Sequence, residues 1–212
     1  MLFADRRDAG RRLAAALSHL RDRRPIVLAV PRGGVVVGHE VSTHLGAPLD
    51  VIVPRKLRAP FNPELAIGAV AEEGAVFIDE GIARGVGAAY MAQEISAQRA
   101  EIARRVQVYR GDRALSPVAG RVAIVVDDGI ATGATMIAAL RAVRATAPAR
   151  LVAAVPVAPP DGIARLAREA DEVVCLAAPA VFHAVGQFYE NFAQVDDREV
   201  TALLAERRAG IP

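Results

Sequence analysis

An α/β fold, with a mostly parallel twisted sheet flanked by helices, is what the 212-residue sequence predicts, and three features carry that reading. Short apolar runs near 26–30, 121–126 and 151–157 alternate with segments of helical periodicity, the pattern of parallel strands joined by right-handed crossovers. Hydrophobic residues make up 53% of the chain and aromatics only 4%, with no Trp, so the core has to be built from Ala, Val, Leu and Ile. Charged residues at 24% suit the surface of one compact domain spanning 1–212 and exclude a largely disordered chain.

Taken in order, Leu13, Leu17 and Leu20 recur at helical spacing and predict an amphipathic helix from about 5 to 21, closed by Pro25. Ile26 to Val30 reads as a buried strand, Pro31-Arg32-Gly33-Gly34 as a tight loop and Val35 to Leu45 as a helix. Asp50 to Pro54 gives a second strand ending at Arg55-Lys56. Two prolines within residues 59–63 then predict a loop without regular structure. Ile67 to Val70 and Ala75 to Asp79 flank Glu72-Glu73-Gly74 as a hairpin. Met91, Ile95, Gln98, Ile102, Val106 and Tyr109 mark one face of a long helix, opposite a solvated face of Arg99, Glu101, Arg104 and Arg105. Arg121 to Val126 is the clearest strand, followed by a helix through Met136, Ile137, Leu140 and Val143. Leu151 to Val157 and Glu172 to Leu176 supply two more strands around a short helix near 162–168, and residues 179–195, with four aromatics, read as a small cap.

Composition closes off several function classes. A single cysteine, Cys175, excludes a disulfide framework and reads as a small buried hydrophobe, and four scattered histidines do not suggest a structural zinc site; His39 and His44 read as helix-surface residues. The balance of 26 basic against 24 acidic residues leaves +2, too little to imply nucleic-acid binding. The first residues lack the apolar run of a signal peptide and no stretch reaches transmembrane length, so a cytoplasmic protein without membrane contact is expected. Lys56 is the only lysine.

The informative string is Ile124-Val125-Val126-Asp127-Asp128-Gly129-Ile130-Ala131-Thr132-Gly133-Ala134-Thr135. An apolar strand ends in two acids, and a loop of small residues then opens a helix. Ligands of open α/β sheets sit at the carboxyl ends of strands. Backbone N–H groups at the helix start, with the Thr132 and Thr135 hydroxyls beside them and Gly133 allowing close approach, make a pocket for a phosphate monoester. Two carboxylates would repel a phosphate, but each can accept a hydrogen bond from one of two vicinal hydroxyls, so the string reads as a device for a phosphorylated sugar. The chain has no G-x-x-x-x-G-K-[ST] of a P-loop, and no Ser or Cys sits in a nucleophile elbow.

This string resembles the PRPP-binding motif of type I phosphoribosyltransferases. The resemblance implies that family's fold with a small C-terminal hood at about 179–195. It also implies Mg²⁺-dependent transfer of a 5-phosphoribosyl group from PRPP to a small-molecule nitrogen acceptor, usually a nucleobase, with release of pyrophosphate. Gly129, Ile130, Ala131, Thr132, Gly133, Ala134 and Thr135 would hold the 5-phosphate, and Asp127 and Asp128 the ribose. Arg32, Gly33, Gly34, Arg55 and Lys56 would receive the pyrophosphate, with Arg32 and Lys56 counted beside the two acids as catalytic. No side chain is expected to ligate Mg²⁺, which would be held through ligand oxygens and water. A mobile loop is placed at about 57–66, and Phe182, His183, Phe188 and Tyr189 are candidate acceptor contacts, with the core as their plainer role. The 6-oxopurine branch of that family carries a further acid where this chain has Ala131, and reads the 6-oxo group with a lysine, yet no lysine follows Lys56; 6-oxopurines are therefore disfavoured as acceptors. The rival from another class is a non-catalytic regulator that keeps the fold and senses PRPP or nucleotides. The acceptor's identity and a homodimeric state are left open.

Overall fold

The computed structural model describes residues 2–209, and of the span expected as one domain Met1 and 210–212 lie outside the described residues. The chain runs α1 (Arg6–Ala16), β1 (Ile26–Ala29), α2 (Gly33–Leu45), β2 (Leu49–Val51), β3 (Arg55–Ala59), β4 (Asn62–Val70), β5 (Val76–Ile78), α3 (Ala88–Arg110), β6 (Val122–Val126), α4 (Ala134–Ala145), β7 (Arg150–Val157), α5 (Pro160–Leu166), β8 (Glu172–Ala177) and α6 (Asp197–Ala209).

Five strands form a parallel sheet in the order β2-β1-β6-β7-β8. Its central strands are apolar at nearly every position because both faces are covered. Val27, Ala29, Ile124, Val126, Val152 and Ala154 face a layer that includes Leu13 of α1, Leu17 just past its end, and Val37 and Val41 of α2. Their neighbours Ile26, Leu28, Ala123, Val125, Leu151 and Ala153 face Met136, Leu140 and Val143 of α4 and Leu166 of α5. Strand alternation thus splits one run of Val, Ile and Ala between two cores. The pairing of Ala29 with Val126 brings the ends of β1 and β6 level, and the Val30 N–H continues it by donating to the Val126 carbonyl at 2.8 Å. The two loops expected to bind phosphates therefore leave the sheet side by side.

Four expectations change. Residues 59–63 are the tight turn of an antiparallel hairpin, with Ala59 paired to Asn62 and the strand β4 running through position 63. Shifts in register flank Arg58, and such irregularity accommodates a proline that cannot donate to a ladder. The span assigned to a mobile loop, 57–66, is this hairpin's outer half, and its tip residue Phe61 is 99% exposed. The strand expected at Asp50 to Pro54 is shortened to Leu49–Val51, with β3 starting at Arg55. A C-terminal helix, α6, has no counterpart among the elements expected from sequence; its Val200, Leu203 and Leu204 are buried in the α2 and α3 layer. Glu206 of α6 comes within 3.5 Å of His39, which is consequently buried rather than on a helix surface. Desolvation there lowers the His39 pKa against the pull of Glu206 and Glu40. Cys175 is half-buried in β8.

Candidate functional site

Asp127 and Asp128 follow β6 directly. The Asp128 N–H donates to Asp127 Oδ1 at 2.8 Å, a local turn bond that fixes the first carboxylate against the main chain of the second. Gly129 has φ +152°, and a Cβ there would come within 2.6 Å of Val185 and 3.0 Å of Val157, so only glycine lets the chain pass beneath the cap. The Ile130 N–H is held by the Val157 carbonyl at 3.1 Å. Gly133 adopts a left-handed conformation (φ +79°) and opens α4, whose first N–H groups have no partner within the helix. Lys56, Asp127, Gly129, Ile130, Ala131, Thr132, Gly133 and Thr135 line one cavity of about 220 Å³, with Met136 and Val185 completing it. Ala134 stands behind it, buried in the first turn of α4.

The second loop lies against the acids. Gly33 and Gly34 begin α2, and neither has a positive φ; what they lack room for is a side chain. A Cβ on Gly33 would fall 1.9 Å from Asp128 Oδ2, and one on Gly34 would fall 2.9 Å from the Asp127 Cα and the Val126 carbonyl. Arg32 and Gly33 line a neighbouring cavity of about 340 Å³ together with Arg6, Phe192, Gln194 and Val195. The carboxylate pair separates the two compartments, one offering helix-start N–H groups and hydroxyls, the other two guanidinium groups.

Burial pushes the carboxyls of both Asp127 and Asp128 above the ordinary range; each other's proximity adds to the rise for Asp127, while Arg6 opposes it for Asp128. Two acids that resist ionisation are suited to a ligand that brings hydrogen-bond donors and cationic charge.

Arg55 and Lys56 part company, because consecutive residues of a strand point to opposite faces. Lys56 lines the cavity. Arg55 turns to α3, where its Nε–H donates to Gln98 Oε1 at 3.1 Å. In the cap, Phe182 stacks on Phe188 with centroids 4.9 Å apart, and Phe188 and Tyr189 are core residues packed with Phe3, Ala9 and Val157. The Tyr189 hydroxyl donates to the Asp128 carbonyl, and burial raises its pKa so that it stays a donor. His183 is exposed and lines neither cavity; its main-chain N–H donates to Gln187 Oε1. The cap residue in the cavity is Val185.

Sequence reading misses Arg6 altogether. Its Nε–H donates to Asp128 Oδ2 at 2.7 Å across 122 residues of chain. The first residues also belong to the cap: the Leu2 and Phe3 N–H groups donate to the Phe188 carbonyl, and the Glu190 and Asn191 N–H groups to the carbonyls of Phe3 and Ala4. A larger groove of about 540 Å³ lies at the opposite end of the sheet, where Val122, Arg150 and Glu172 begin their strands. Two of its three arginines are paired with neighbouring acids, Arg144 with Asp171 and Arg150 with Glu172, and it contains none of the expected site residues.

A family model described as the phosphoribosyl transferase domain matches residues 4–192, which takes in both loops and nearly all of the cap. The chain belongs to that family. Two Mycobacterium tuberculosis proteins, from strains CDC 1551 and H37Rv, bear provisional phosphoribosyl transferase names and are each 51% identical to it over 205 residues. The match takes in 96% of the chain and 46% of each relative, so this phosphoribosyl transferase domain spans about half the length of the curated relatives it matches. The crystal structure of TT1426 from Thermus thermophilus is 46% identical, with a TM-score of 0.83, covering 97% of this chain and 99% of that one. A hypothetical protein from Neisseria gonorrhoeae, solved with bound ppGpp, shares the fold alone at 12% identity and a TM-score of 0.52, covering 97% of this chain and 94% of its own. No helix among the described residues is long and apolar enough to cross a membrane.

Proposed function

We propose that this phosphoribosyl transferase domain transfers the 5-phosphoribosyl group of PRPP to a small nitrogen nucleophile other than a 6-oxopurine, releasing pyrophosphate. One observation carries the reading. The Asp127–Asp128 pair stands between a small-residue loop that opens a helix and a double-glycine loop in van der Waals contact with it. A phosphate, a vicinal diol and a pyrophosphate occur in that order along PRPP, and the anion cradle, acids and guanidinium groups follow the same order here.

The residues then divide the work. Thr132 and Thr135 with the α4 N–H groups hold the 5-phosphate. Asp127 and Asp128 accept hydrogen bonds from the ribose hydroxyls and, once charged, favour positive charge developing on the sugar as the bond from C1 to the pyrophosphate oxygen lengthens. Arg32 would balance the departing charge, Lys56 would reach it only from the cavity of the Asp127 loop that it lines, and the backbone at Gly33 and Gly34 allows the pyrophosphate to approach. The nitrogen of the acceptor forms its bond to C1 as pyrophosphate leaves, and Val185 over Gly129 gives the acceptor an apolar surface. The carboxylates and the Thr132 and Thr135 hydroxyls are hard oxygen groups of the kind that fit Mg²⁺; Asp127 and Asp128 would hold it through ligand hydroxyls and water. When bound, Mg²⁺ neutralises charge on the pyrophosphate.

Pyrophosphate release from PRPP, assayed with Mg²⁺ against a panel of nucleobases and amines, tests this. Release that depends on one acceptor is the expected result. PRPP binding without release for any acceptor would support a sensing role instead, and no binding of PRPP, ribose 5-phosphate or any nucleoside monophosphate would overturn the reading.

A further inference from the structure

Arg6 comes from the first turn of α1, far in sequence from either loop, yet its side chain reaches the Asp128 carboxylate. Three contacts converge on its guanidinium. Nε donates to Asp128 Oδ2 at 2.7 Å, Nη1 donates to the Ala193 carbonyl at 2.7 Å, and the group lies 3.7 Å from the centroid of the Phe192 ring. The side chain is only 11% exposed and that of Asp128 14%, so the pair is largely withdrawn from water, where a charge-assisted bond is strong and directional. Planar Arg can satisfy carboxylate, carbonyl and ring face together, whereas Lys can offer only a point charge.

The contact commits Asp128 Oδ2 to Arg6 and so fixes the plane of the carboxylate. Tyr189 meanwhile fixes the Asp128 backbone through its carbonyl, so the cap grips this residue at both main chain and side chain. We propose that Arg6 is a positioning residue of the sugar site, orienting the Asp128 carboxylate for a ribose hydroxyl and locking the Phe192–Ala193 segment of the cap to the occupied site. It rests on the phosphoribosyl reading, and it assigns to the N-terminal helix a part in sugar recognition that neither loop motif contains.

The two ligand subsites provide the test, because a merely structural role would weaken both. Isothermal calorimetry on the full chain should compare ribose 5-phosphate, which carries the diol, with inorganic phosphate, which does not. Arg6→Gln is expected to bind ribose 5-phosphate and PRPP at least tenfold more weakly while inorganic phosphate binds within twofold of the parent. Arg6→Lys is expected to recover only part of that loss, since it keeps a cation beside Asp128 but cannot meet the Ala193 carbonyl and the Phe192 ring at the same time. Phe192→Leu, which removes the ring but leaves the guanidinium, reports on the same lock should Arg6→Gln fail to fold, and it should weaken ribose 5-phosphate binding selectively. Equal loss for both ligands, or no loss for either, in a folded variant would overturn the proposal. If the parent protein binds phosphate but not ribose 5-phosphate or PRPP, the functional reading itself fails.

Discussion

Replacing Gly33 by Ala probes the contact between the two loops directly. Gly33 has an ordinary helical backbone, so the added methyl introduces no φ strain and, by helix preference alone, would stabilise α2 by about 0.5–1 kcal/mol. The methyl would, however, sit 1.9 Å from Asp128 Oδ2 and 2.7 Å from Arg6 Nε, well inside van der Waals contact. The carboxylate has to swing away and give up its bond to Arg6, a charge-assisted hydrogen bond worth about 1.5–3 kcal/mol. The net cost is about 1–2 kcal/mol, which in a domain of this size lowers Tm by roughly 2–8 °C. Because swinging Oδ2 off Arg6 turns the whole carboxylate that is to meet the ribose hydroxyl, PRPP affinity should fall at least about tenfold, the equivalent of 1.4 kcal/mol. Scanning calorimetry gives the first quantity and titration calorimetry the second. Gly46→Ala serves as the comparison: Gly46 ends α2 with φ +64° and open space around it, so Ala there should cost about 1 kcal/mol of stability and leave PRPP binding unchanged. A Gly33→Ala protein with parental Tm and parental PRPP affinity would refute the contact and the role given to it.

Thr132→Ala and Thr135→Ala should each weaken PRPP binding by about 1–3 kcal/mol, measured by titration calorimetry, as expected for a lost hydrogen bond to a charged phosphate; unchanged affinity in both would return the loop to a structural role. Asp127→Asn and Asp128→Asn should each reduce kcat strongly in the pyrophosphate-release assay while circular dichroism is preserved. Burial holds the Asp127 carboxyl above the ordinary 3.8, so the stability it contributes is complete below that value and is lost as pH rises through its raised folded value; Asp127→Asn should therefore raise Tm at neutral pH and flatten its pH dependence, even as turnover falls. Hypoxanthine and guanine should be poor acceptors beside another nitrogen nucleophile, and kcat/KM of about 10⁴ M⁻¹s⁻¹ or more with either would show that Ala131 and the missing later lysine do not set specificity.

Local pattern determined much of this protein. The apolar runs at β1, β6 and β7 declare a sheet buried on both faces, and strand, acids, small-residue loop and helix stand consecutively from Ile124 to Thr135, so neighbours in sequence are neighbours in the site. The same kind of signal is present for α6, where Val200, Leu203 and Leu204 share a helical face, although the polar residues between them obscure it. Arg55 and Lys56 show where adjacency misleads: a strand sends them to opposite faces, and only the start of β3 determines which one meets the cavity. Proline at 63 suggests an irregular loop, but a hairpin with shifted register tolerates it. Arg6 lies beyond sequence reasoning because it is one arginine among many on an amphipathic helix, and its meaning depends on how α1 docks against the cap and the sheet edge. Periodicity specifies which face of a helix is apolar. The position along the sheet at which that face settles comes from the packing of all the layers at once, and that packing places a guanidinium from residue 6 on the carboxylate of residue 128.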